Sequence, residues 1–172
     1  MGTSLDNFIA RENGELDWLM EFSSPEVFRS YEELNKRTDC VLMGRGTFEK
    51  VLSFETWPYQ KKVFVMSRSL KNLPPALSEK TELISKSPRE SLYYLAEKGF
   101  NTVYVDGGQL IQSFLREDLV DELIQSRVPV LIGKGIPLYG AIPEDIKFKH
   151  IRTESFPNGL VMSFYDRRRT RT

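Results

Sequence analysis

Three short apolar runs constrain the fold of this chain more than any other feature of its sequence. They are Cys40 to Met43, Val63 to Met66 and Thr102 to Val105. A short apolar run without alternation is typical of a β-strand that is buried on both faces. Between these runs, apolar residues recur at the spacing of a helix. This alternation of strand and helix predicts an α/β fold with a parallel sheet.

The segments between and around these strands predict four helices, and capping residues indicate where they begin and end. Ser23 and Ser24 are N-cap candidates ahead of Pro25, which suits a first helical turn. Gly99 is a C-terminal stop. The predicted helices cover Pro25 to Lys36, Thr47 to Leu52, Pro88 to Gly99 and Gln109 to Arg116.

The C-terminal third of the chain has a different pattern. Leu123 to Ile132 is a long extended run, and Pro129 inside it removes a backbone donor, which predicts a bulge or an edge. Asn158-Gly159 separates two strand patterns, Phe148 to Phe156 and Leu160 to Tyr165. Asn-Gly between strands predicts a hairpin. We therefore expect an α/β sandwich, in one domain over residues 1–172, whose mostly parallel sheet carries an antiparallel C-terminal hairpin.

Composition argues against several classes of function. Lysine plus arginine equals aspartate plus glutamate at 24 each, so no net charge draws the chain to nucleic acid or to a membrane. The basic residues Arg167 to Arg169 and Arg171 are interpreted as a solvated tail, because no aromatic platform accompanies them. One histidine, His150, and one cysteine do not assemble a zinc site or a Ser-His-Asp triad. We expect no bound metal.

Cys40 and the apolar content indicate the compartment. A single cysteine excludes an intramolecular disulfide and fits a reducing environment, and Cys40 is interpreted as a buried structural thiol. No apolar run approaches the roughly 20 residues that span a bilayer. The N-terminus has no basic segment followed by an apolar one. We expect a cytoplasmic protein that is not exported.

A polar or glycine-rich turn follows each of the three apolar runs. The turns are Gly44-Arg45-Gly46-Thr47, Ser67-Arg68-Ser69 and Asp106-Gly107-Gly108. Ligands of open parallel sheets bind beyond the carboxyl ends of the strands, and a helix that follows such a turn offers free N–H groups to an anion. Taken singly, a Gly-Gly pair is more often a tight turn and an arginine a surface charge. Together they predict a site for an elongated, phosphate-rich ligand.

The order of these motifs resembles dihydrofolate reductase and its relatives. Two further motifs are similar to one branch, the reductase domain of bacterial riboflavin biosynthesis, which is the C-terminal half of a bifunctional deaminase-reductase, and its stand-alone homologues. The resemblance covers Thr3 to about Tyr165. The motifs are Val41 to Glu49, Val65 to Arg68 and Val105 to Leu110 for the superfamily, and Ser4 to Ala10 and Pro129 to Gly135 for the branch.

The resemblance implies that NADPH is the cofactor and that each turn holds a different part of it. The implied residues are Gly44, Arg45 and Thr47 for the pyrophosphate and the adenosine ribose phosphate, Ser67, Arg68 and Ser69 for the 2′-phosphate and adenine, Gly107, Gly108, Gln109, Leu110 and Ile111 for the pyrophosphate and the nicotinamide half, and Ile9 and Ala10 for the nicotinamide ring. A 2′-phosphate site favours NADPH over NADH.

The resemblance also implies a substrate cleft between the turn at Asn13-Gly14 and the first long helix. Its expected residues are Trp18, Phe28, Tyr31 and Gln125, with Lys134 as a candidate for binding a substrate phosphate. Asp17 and Glu26 are the candidate proton donors, with water as the third source. In the family a full strand precedes the Ser-Leu-Asp motif. Here only Met1 to Thr3 precede it, so we expect this strand to be shortened or missing.

The implied reaction is hydride transfer from NADPH to a C=N or C=O carbon of a small heterocyclic or ribosyl substrate. In the riboflavin branch the substrate is 5-amino-6-(5-phosphoribosylamino)uracil, whose ribose is opened to ribitol. Three alternatives stay open: a dihydrofolate-type reductase, an NADPH-binding protein without turnover, and a structural domain in which the glycines only form turns. Because family members often pair through their late strands, a homodimer through the hairpin Phe148 to Tyr165 is expected.

Overall fold

The computed structural model describes residues 1–167 and divides the chain into two compact units. Among the described residues, one unit contains Met1–Tyr31 and Phe114 to Arg167, and the other contains Glu32–Ser113. We call them the terminal unit and the central unit. The predicted single domain over residues 1–172 stays a prediction. The prediction of a solvated basic tail is wrong for Arg167, which ends the last strand and forms an ion pair of 2.7 Å with Asp118. The rest of that tail, from Arg168 onward, lies outside the described residues.

Ten strands, five α-helices and one short 3₁₀-helix (Pro75–Leu77) form the regular structure of residues 1–167. The strands are β1 (Gly2–Thr3), β2 (Phe8–Ala10), β3 (Cys40–Gly44), β4 (Lys62–Met66), β5 (Thr81–Ile84), β6 (Val103–Asp106), β7 (Glu122–Arg127), β8 (Ile136–Pro137), β9 (Phe148–Ser155) and β10 (Val161–Arg167). The helices are α1 (Asp17–Met20), α2 (Pro25–Arg37), α3 (Arg45–Leu52), α4 (Pro88–Glu97) and α5 (Gly108–Arg116).

A four-stranded parallel sheet forms the middle of the central unit, in the order β5-β4-β3-β6. The first four side chains of β3 are buried, and Val41 and Met43 pack with Val63, Val65 and Phe48 in one apolar core. The prediction of a doubly buried strand is therefore confirmed for β3. For β6 it is wrong, because all four of its residues are only half-buried at the edge of this sheet.

Local capping residues set the ends of the predicted helices. Ser24 Oγ accepts a hydrogen bond from Val27 N at the start of α2, as expected of an N-cap. Ser87 and Glu90 form a capping box at the start of α4. Gly99 follows the end of α4 with a φ of 88°, the left-handed conformation that glycine adopts without strain. The predicted helices are confirmed, although α3 begins two residues earlier than expected.

The terminal unit contains the predicted hairpin in a four-stranded sheet of order β1-β7-β10-β9. Strand β10 is antiparallel to both β9 and β7, while β1 runs parallel to β7. A second, two-stranded sheet joins β2 and β8. The chain thus combines a parallel sheet with a separate antiparallel sheet, and the predicted α/β class with a C-terminal hairpin is confirmed. The first strand is short, since β1 spans only two residues.

The turn of the hairpin shows why Asn-Gly predicts one. Gly159 has a φ of 87°, and Asn158 Oδ1 accepts a hydrogen bond from Leu160 N. Beyond the turn, Leu160 and Met162 alternate toward an apolar core that also contains Trp18. This strand therefore buries the face that carries Leu160 and Met162.

The extended run predicted from Leu123 to Ile132 is too long. Strand β7 ends at Arg127, two residues before Pro129, which has no N–H to donate to a neighbouring strand. The short helix α1 has no counterpart among the predicted elements. In the described part of the chain, no helix has the length and apolar character needed to span a membrane.

Candidate functional site

The three predicted cofactor turns lie at one edge of the parallel sheet in the central unit. Strand β3 is hydrogen-bonded to β4 on one side and to β6 on the other. Gly44 is opposite Met66, and Met43 is opposite Asp106. Because all three strands are parallel, the turns that follow them meet at the carboxyl edge, where α/β sheets bind ligands.

Gly107 brings two of these turns into direct contact. A Cβ atom on Gly107 would lie 2.1 Å from Thr47 Oγ1, and the residue has a φ of 98°. Both constraints require glycine, because any side chain would clash with the threonine hydroxyl and would strain the backbone. Gly107 O also accepts a hydrogen bond from Ile111 N in the first turn of α5. The glycine pair therefore does more than reverse the chain, since it allows two cofactor turns to approach.

The N-terminus of α3 is open and carries no side-chain cap. Gly44 occupies its N-cap position without a capping hydrogen bond from a side chain. A Cβ atom on Gly46, in the first turn, would meet no atom within 4 Å. The first N–H groups of a helix favour an anion, and glycine leaves room for one to approach. Arg45 is exposed beside them and lies 3.8 Å from Glu49 in a weak surface pair.

The turn after β4 is shaped by Ser67. Its Oγ accepts hydrogen bonds from the backbone N of Ser69 at 3.2 Å and of Leu70 at 3.0 Å. Arg68 and Ser69 are exposed on this turn. Ser67 thus holds the backbone that presents the arginine. An exposed guanidinium on a fixed backbone suits a phosphate group.

The helix after the third turn presents a buried surface. Gly108, Leu110 and Ile111 are buried, whereas Gln109 is exposed. Leu110 Cβ lies 3.9 Å from the position of a Cβ on Gly44. The buried residues of this helix therefore pack beneath the sheet edge at which the three turns meet. Open space at Gly46, uncapped helix N–H groups and two exposed arginines fit the phosphates of a dinucleotide.

Asp106 is a residue of this edge that the sequence did not single out. Its carboxylate accepts a hydrogen bond of 2.7 Å from the Tyr59 hydroxyl. Burial raises the pKa of the Asp106 carboxyl, and the bond from Tyr59 acts in the opposite direction. An acidic residue placed directly before Gly107-Gly108 was the available signal. Tyr59, 47 positions away, had none.

In the terminal unit, the predicted substrate residues have different environments. Trp18 is 4% exposed and belongs to the apolar core with Val128 and Leu160. Its indole Nε1 is buried and has no hydrogen-bond partner among residues 1–167. Phe28 and Tyr31 are 62% and 37% exposed on α2. Phe28 and Tyr31 are therefore accessible to a ligand, whereas Trp18 is part of the apolar core.

The two predicted proton donors are carboxylates whose pKa is lowered. Arg11 donates two hydrogen bonds of 2.7 Å to Asp17, and this interaction lowers the pKa of Asp17. Hydrogen bonds from its own backbone N and from Ser24 lower the pKa of Glu26. A group that donates a proton at neutral pH needs a raised pKa. Their role as donors stays a prediction, and these environments favour the ionised form instead.

Gln125 lies in a buried network of hydrogen bonds. It is 5% exposed, and its Nε2 donates to Thr3 Oγ1 at 3.1 Å and to Asn7 Oδ1 at 2.9 Å. Lys134, by contrast, is 80% exposed and forms an ion pair of 3.2 Å with Glu12. The predicted phosphate-binding lysine therefore already has a carboxylate partner.

The Ser-Leu-Asp motif fixes the loop beside the predicted nicotinamide residues Ile9 and Ala10. Asp6 accepts hydrogen bonds from Ser4 Oγ, Gly133 N and Ile132 N, and its pKa is lowered, chiefly by the bond from Ser4. Ile9 and Ala10 form strand β2 with Phe8, and Ala10 is buried. A Cβ on Gly135 would lie 2.2 Å from Ala10 O. This close approach explains the second glycine of the Gly133-Lys134-Gly135 turn.

Within residues 1–167, no group of three or more histidine, cysteine, aspartate or glutamate side chains lies close enough together to hold a metal ion. His150 is exposed on β9, where its Nε2 lies 2.7 Å from Thr153 Oγ1.

Comparison with known proteins gives consistent results. The family model of the RibD C-terminal domain matches residues 1–162. The Bacillus subtilis protein YwjB is 33% identical over 168 residues, which are 95% of this chain and 94% of that protein. A solved structure from Shewanella sp. PV-4, provisionally named a riboflavin biosynthesis protein, has 40% identity and a TM-score of 0.93, with 98% and 97% of the two chains covered.

Two more distant structures share the fold. One is a diaminohydroxyphosphoribosylaminopyrimidine deaminase/5-amino-6-(5-phosphoribosylamino)uracil reductase from Thermotoga maritima, with 18% identity and a TM-score of 0.76. The match covers 96% of this chain and 54% of that one. The other is a pyrimidine reductase-like protein from Corynebacterium diphtheriae, with 17% identity, a TM-score of 0.73, and coverage of 98% and 90%.

Proposed function

Because the chain belongs to the RibD C-terminal domain family, we propose that it is an NADPH-dependent reductase of the riboflavin-biosynthesis type. Its substrate would be 5-amino-6-(5-phosphoribosylamino)uracil or a closely similar ribosyl heterocycle. The observation that carries this proposal is the meeting of three turns at the carboxyl edge of β3, β4 and β6. Gly107 makes that meeting possible by its contact with Thr47.

In this proposal the three turns divide the cofactor between them. The uncapped N–H groups at the start of α3 bind a phosphate of the pyrophosphate, and Arg45 adds a positive charge beside them. Arg68, on the turn held by Ser67, pairs with the 2′-phosphate. Bound NADPH supplies a hydride to the substrate carbon, and the protein orients the two reactants and excludes water.

The proposed reaction balances as a two-electron reduction. A hydride adds to the C=N or C=O carbon of the substrate, a proton reaches the heteroatom, and NADPH becomes NADP⁺. Asp17 and Glu26 are retained as candidate donors, although lowered pKa values favour water as the proton source. Phe28 and Tyr31 are exposed aromatic residues against which a planar heterocycle can stack.

Titration of the purified chain with NADPH and NADH tests the cofactor part of the proposal. NADPH should bind more tightly, and Arg68→Ala should weaken NADPH binding more than NADH binding, because only NADPH carries the 2′-phosphate. Arg29→Ala is the matched control, since Arg29 is an exposed arginine on α2 whose partner is Glu26. Absence of binding by either nucleotide would overturn the proposal, and equal losses in Arg68→Ala would contradict its assignment.

Turnover assays separate the alternative functions. Consumption of NADPH with 5-amino-6-(5-phosphoribosylamino)uracil supports the riboflavin-type reductase. Consumption only with dihydrofolate would indicate the folate-type alternative. Tight NADPH binding without consumption by either substrate would indicate a nucleotide-binding protein without turnover.

We also propose that the chain forms a homodimer through the hairpin Phe148 to Tyr165. Strand β9 is the last strand of its sheet, so one of its edges has no neighbouring strand in that sheet. Most of its side chains are exposed, including the apolar Ile151. Exposed edge strands favour pairing with another chain. Light scattering tests the proposal, and a monomeric mass would overturn it.

A further inference from the structure

One face of strand β7 carries polar side chains that the proposed function has not used. Gln125 and Arg127 are two residues apart and therefore point to the same side of the strand. The opposite side of this segment is apolar, because Ile124 and Val128 contact the core around Trp18. The polar face is thus a separate feature of the terminal unit.

Gln125 is held in one orientation by four hydrogen bonds. Its Nε2 donates to Thr3 and Asn7, while its Oε1 accepts from Arg127 Nη2 at 3.3 Å and from the Tyr139 hydroxyl at 3.4 Å. A primary amide has two donors, and its oxygen has two lone pairs. All four positions are therefore used inside the protein. Gln125 acts as a fixed support rather than as a group that is free for a ligand.

Arg127 is positioned by this support and by Asn7. Its Nη2 donates to Gln125 Oε1 and, at 3.4 Å, to Asn7 Oδ1. Both acceptors are neutral amide oxygens, and within residues 1–167 no carboxylate forms an ion pair with Arg127. The side chain is exposed. A guanidinium has five N–H donors, so most of its donors and all of its charge remain for a ligand.

Asn7, the second residue that orients Arg127, has an unusual backbone conformation. Its φ is 62°, one of two positive values at non-glycine residues among those that the structure describes. Asn tolerates the left-handed conformation better than most residues. Its backbone O accepts a hydrogen bond from Leu138 N, directly before Tyr139. The same residue therefore orients Arg127 and fixes the segment that carries Tyr139.

The Tyr139 hydroxyl donates to the same Gln125 oxygen as the guanidinium of Arg127. Its side chain is half-buried, and burial raises its pKa, opposed by the positive charge of Arg127. The phenol therefore stays protonated at neutral pH, and its one donor is used by Gln125 Oε1. Arg127, a cation without a carboxylate partner, is the group here that recognises an oxyanion.

We propose that Arg127, oriented by Gln125 and Asn7, binds the phosphate monoester of the substrate. This inference rests on the proposed function, in which the substrate carries a ribosyl phosphate. It moves the phosphate-binding role from Lys134, which is paired with Glu12, to an arginine whose charge has no carboxylate partner. Arg127 and its partners then select phosphorylated over unphosphorylated substrates.

The test titrates the full chain with ribose 5-phosphate and with ribose by NMR. The expected result is binding of ribose 5-phosphate only, weakened about tenfold or more in Arg127→Gln and less in Arg127→Lys, which keeps the charge but loses the planar fork. Two controls should bind as the wild type does: Lys134→Gln, and Arg29→Ala, which removes an exposed arginine of α2 that has no assigned role. Thermal unfolding of each variant establishes that it is folded.

The outcomes distinguish this inference from the proposed function. No binding of ribose 5-phosphate by the wild type, or a loss in Lys134→Gln but not in either Arg127 variant, would overturn the assignment. Equal binding of inorganic phosphate and ribose 5-phosphate would also overturn it, because only a bare anion would then be recognised. Failure of NADPH to bind, with Arg127-dependent binding of ribose 5-phosphate intact, would overturn the proposed function alone.

Kinetics with the phosphorylated substrate provide a second measurement. Arg127→Gln should raise KM by about tenfold and leave kcat nearly unchanged, because a remote phosphate contact stabilises the ground state and the transition state equally. An equal fall in kcat would indicate a different role for Arg127.

Discussion

The Tyr59 hydroxyl donates a hydrogen bond of 2.7 Å to Asp106 Oδ2 at the last residue of β6. Asp106 directly precedes Gly107, whose contact with Thr47 joins two of the cofactor turns. Tyr59 is itself held by an edge-on contact with Trp57, at 5.5 Å between ring centroids. The phenol therefore connects an aromatic cluster to the end of the strand from which the third turn begins.

Replacement of Tyr59 by phenylalanine should destabilise the protein at neutral pH. The variant keeps the ring and its packing but leaves the Asp106 carboxylate without its donor, at a cost of about 2 kcal/mol. Urea denaturation at pH 7 measures the loss. Tyr93→Phe is the control, because Tyr93 is 65% exposed and should change little. Equal stability of the two variants would show that the Tyr59 bond contributes nothing.

Ionisation of Asp106 should make stability depend on pH. Because burial raises its pKa in the folded state, the native protein holds more protons than the unfolded chain above the ordinary value of 3.8. Stability therefore falls as pH rises from about 3.8 through the raised pKa. Asp106→Asn removes this dependence and keeps an oxygen that accepts the Tyr59 bond. Its stability relative to the wild type should increase between pH 4 and pH 8, and a constant difference in urea denaturation would contradict this.

Replacement of Gly107 and of Gly46 by alanine should affect the stability of the protein differently. Gly107→Ala places a Cβ at 2.1 Å from Thr47 Oγ1 and at a positive φ, so it should lower stability by about 1–3 kcal/mol and weaken NADPH binding. Gly46→Ala adds a Cβ in open space within a helix, so it should keep or raise stability. If phosphate occupies that space, Gly46→Ala weakens NADPH binding alone.

Thermal unfolding and nucleotide titration of both alanine variants provide the measurement. A further Thr47→Ala change should recover part of the stability that Gly107→Ala loses, because it removes the clashing hydroxyl. No recovery would indicate that backbone conformation rather than contact with Thr47 determines the need for glycine.

Cys40 should be unreactive in the native protein. Burial raises the pKa of its thiol to about 12, so almost no thiolate is present at neutral pH. The side chain also has no exposed surface in β3. Reaction with a thiol reagent should therefore follow unfolding and give the same midpoint in urea as circular dichroism. Rapid reaction without denaturant would show that β3 opens locally.

Local patterns predicted most of the elements. The apolar runs of β3 and β4, the Ser24 N-cap and the Asn158-Gly159 turn depend on neighbours within a few residues, so the sequence displays them directly. The predicted burial of β6 was wrong because an edge position depends on sheet order, which local composition does not encode. The end of β7 was misplaced for a related reason, since Pro129 marks a break whose extent depends on the partner strands.

Only part of the candidate site could be predicted from the sequence. Gly44, Arg68 and Gly107 were recognisable because they follow apolar strands, and strand order then places them at one edge. The environments of Asp17, Trp18 and Lys134 were not recognisable. Each depends on one side chain meeting another, namely Arg11, the apolar core and Glu12.

By itself, the sequence determined the alternation of strand and helix, the hairpin and the three turns at strand ends, because backbone conformation follows from residue type and short-range spacing. Only the tertiary structure decided that Gly107 lies against Thr47, that Tyr59 binds Asp106 and that Arg127 rests on Gln125 and Asn7. Apart from Gln125 and Arg127, these pairs are distant along the chain. Their contacts depend on strand order and register, which the packing of the whole chain fixes.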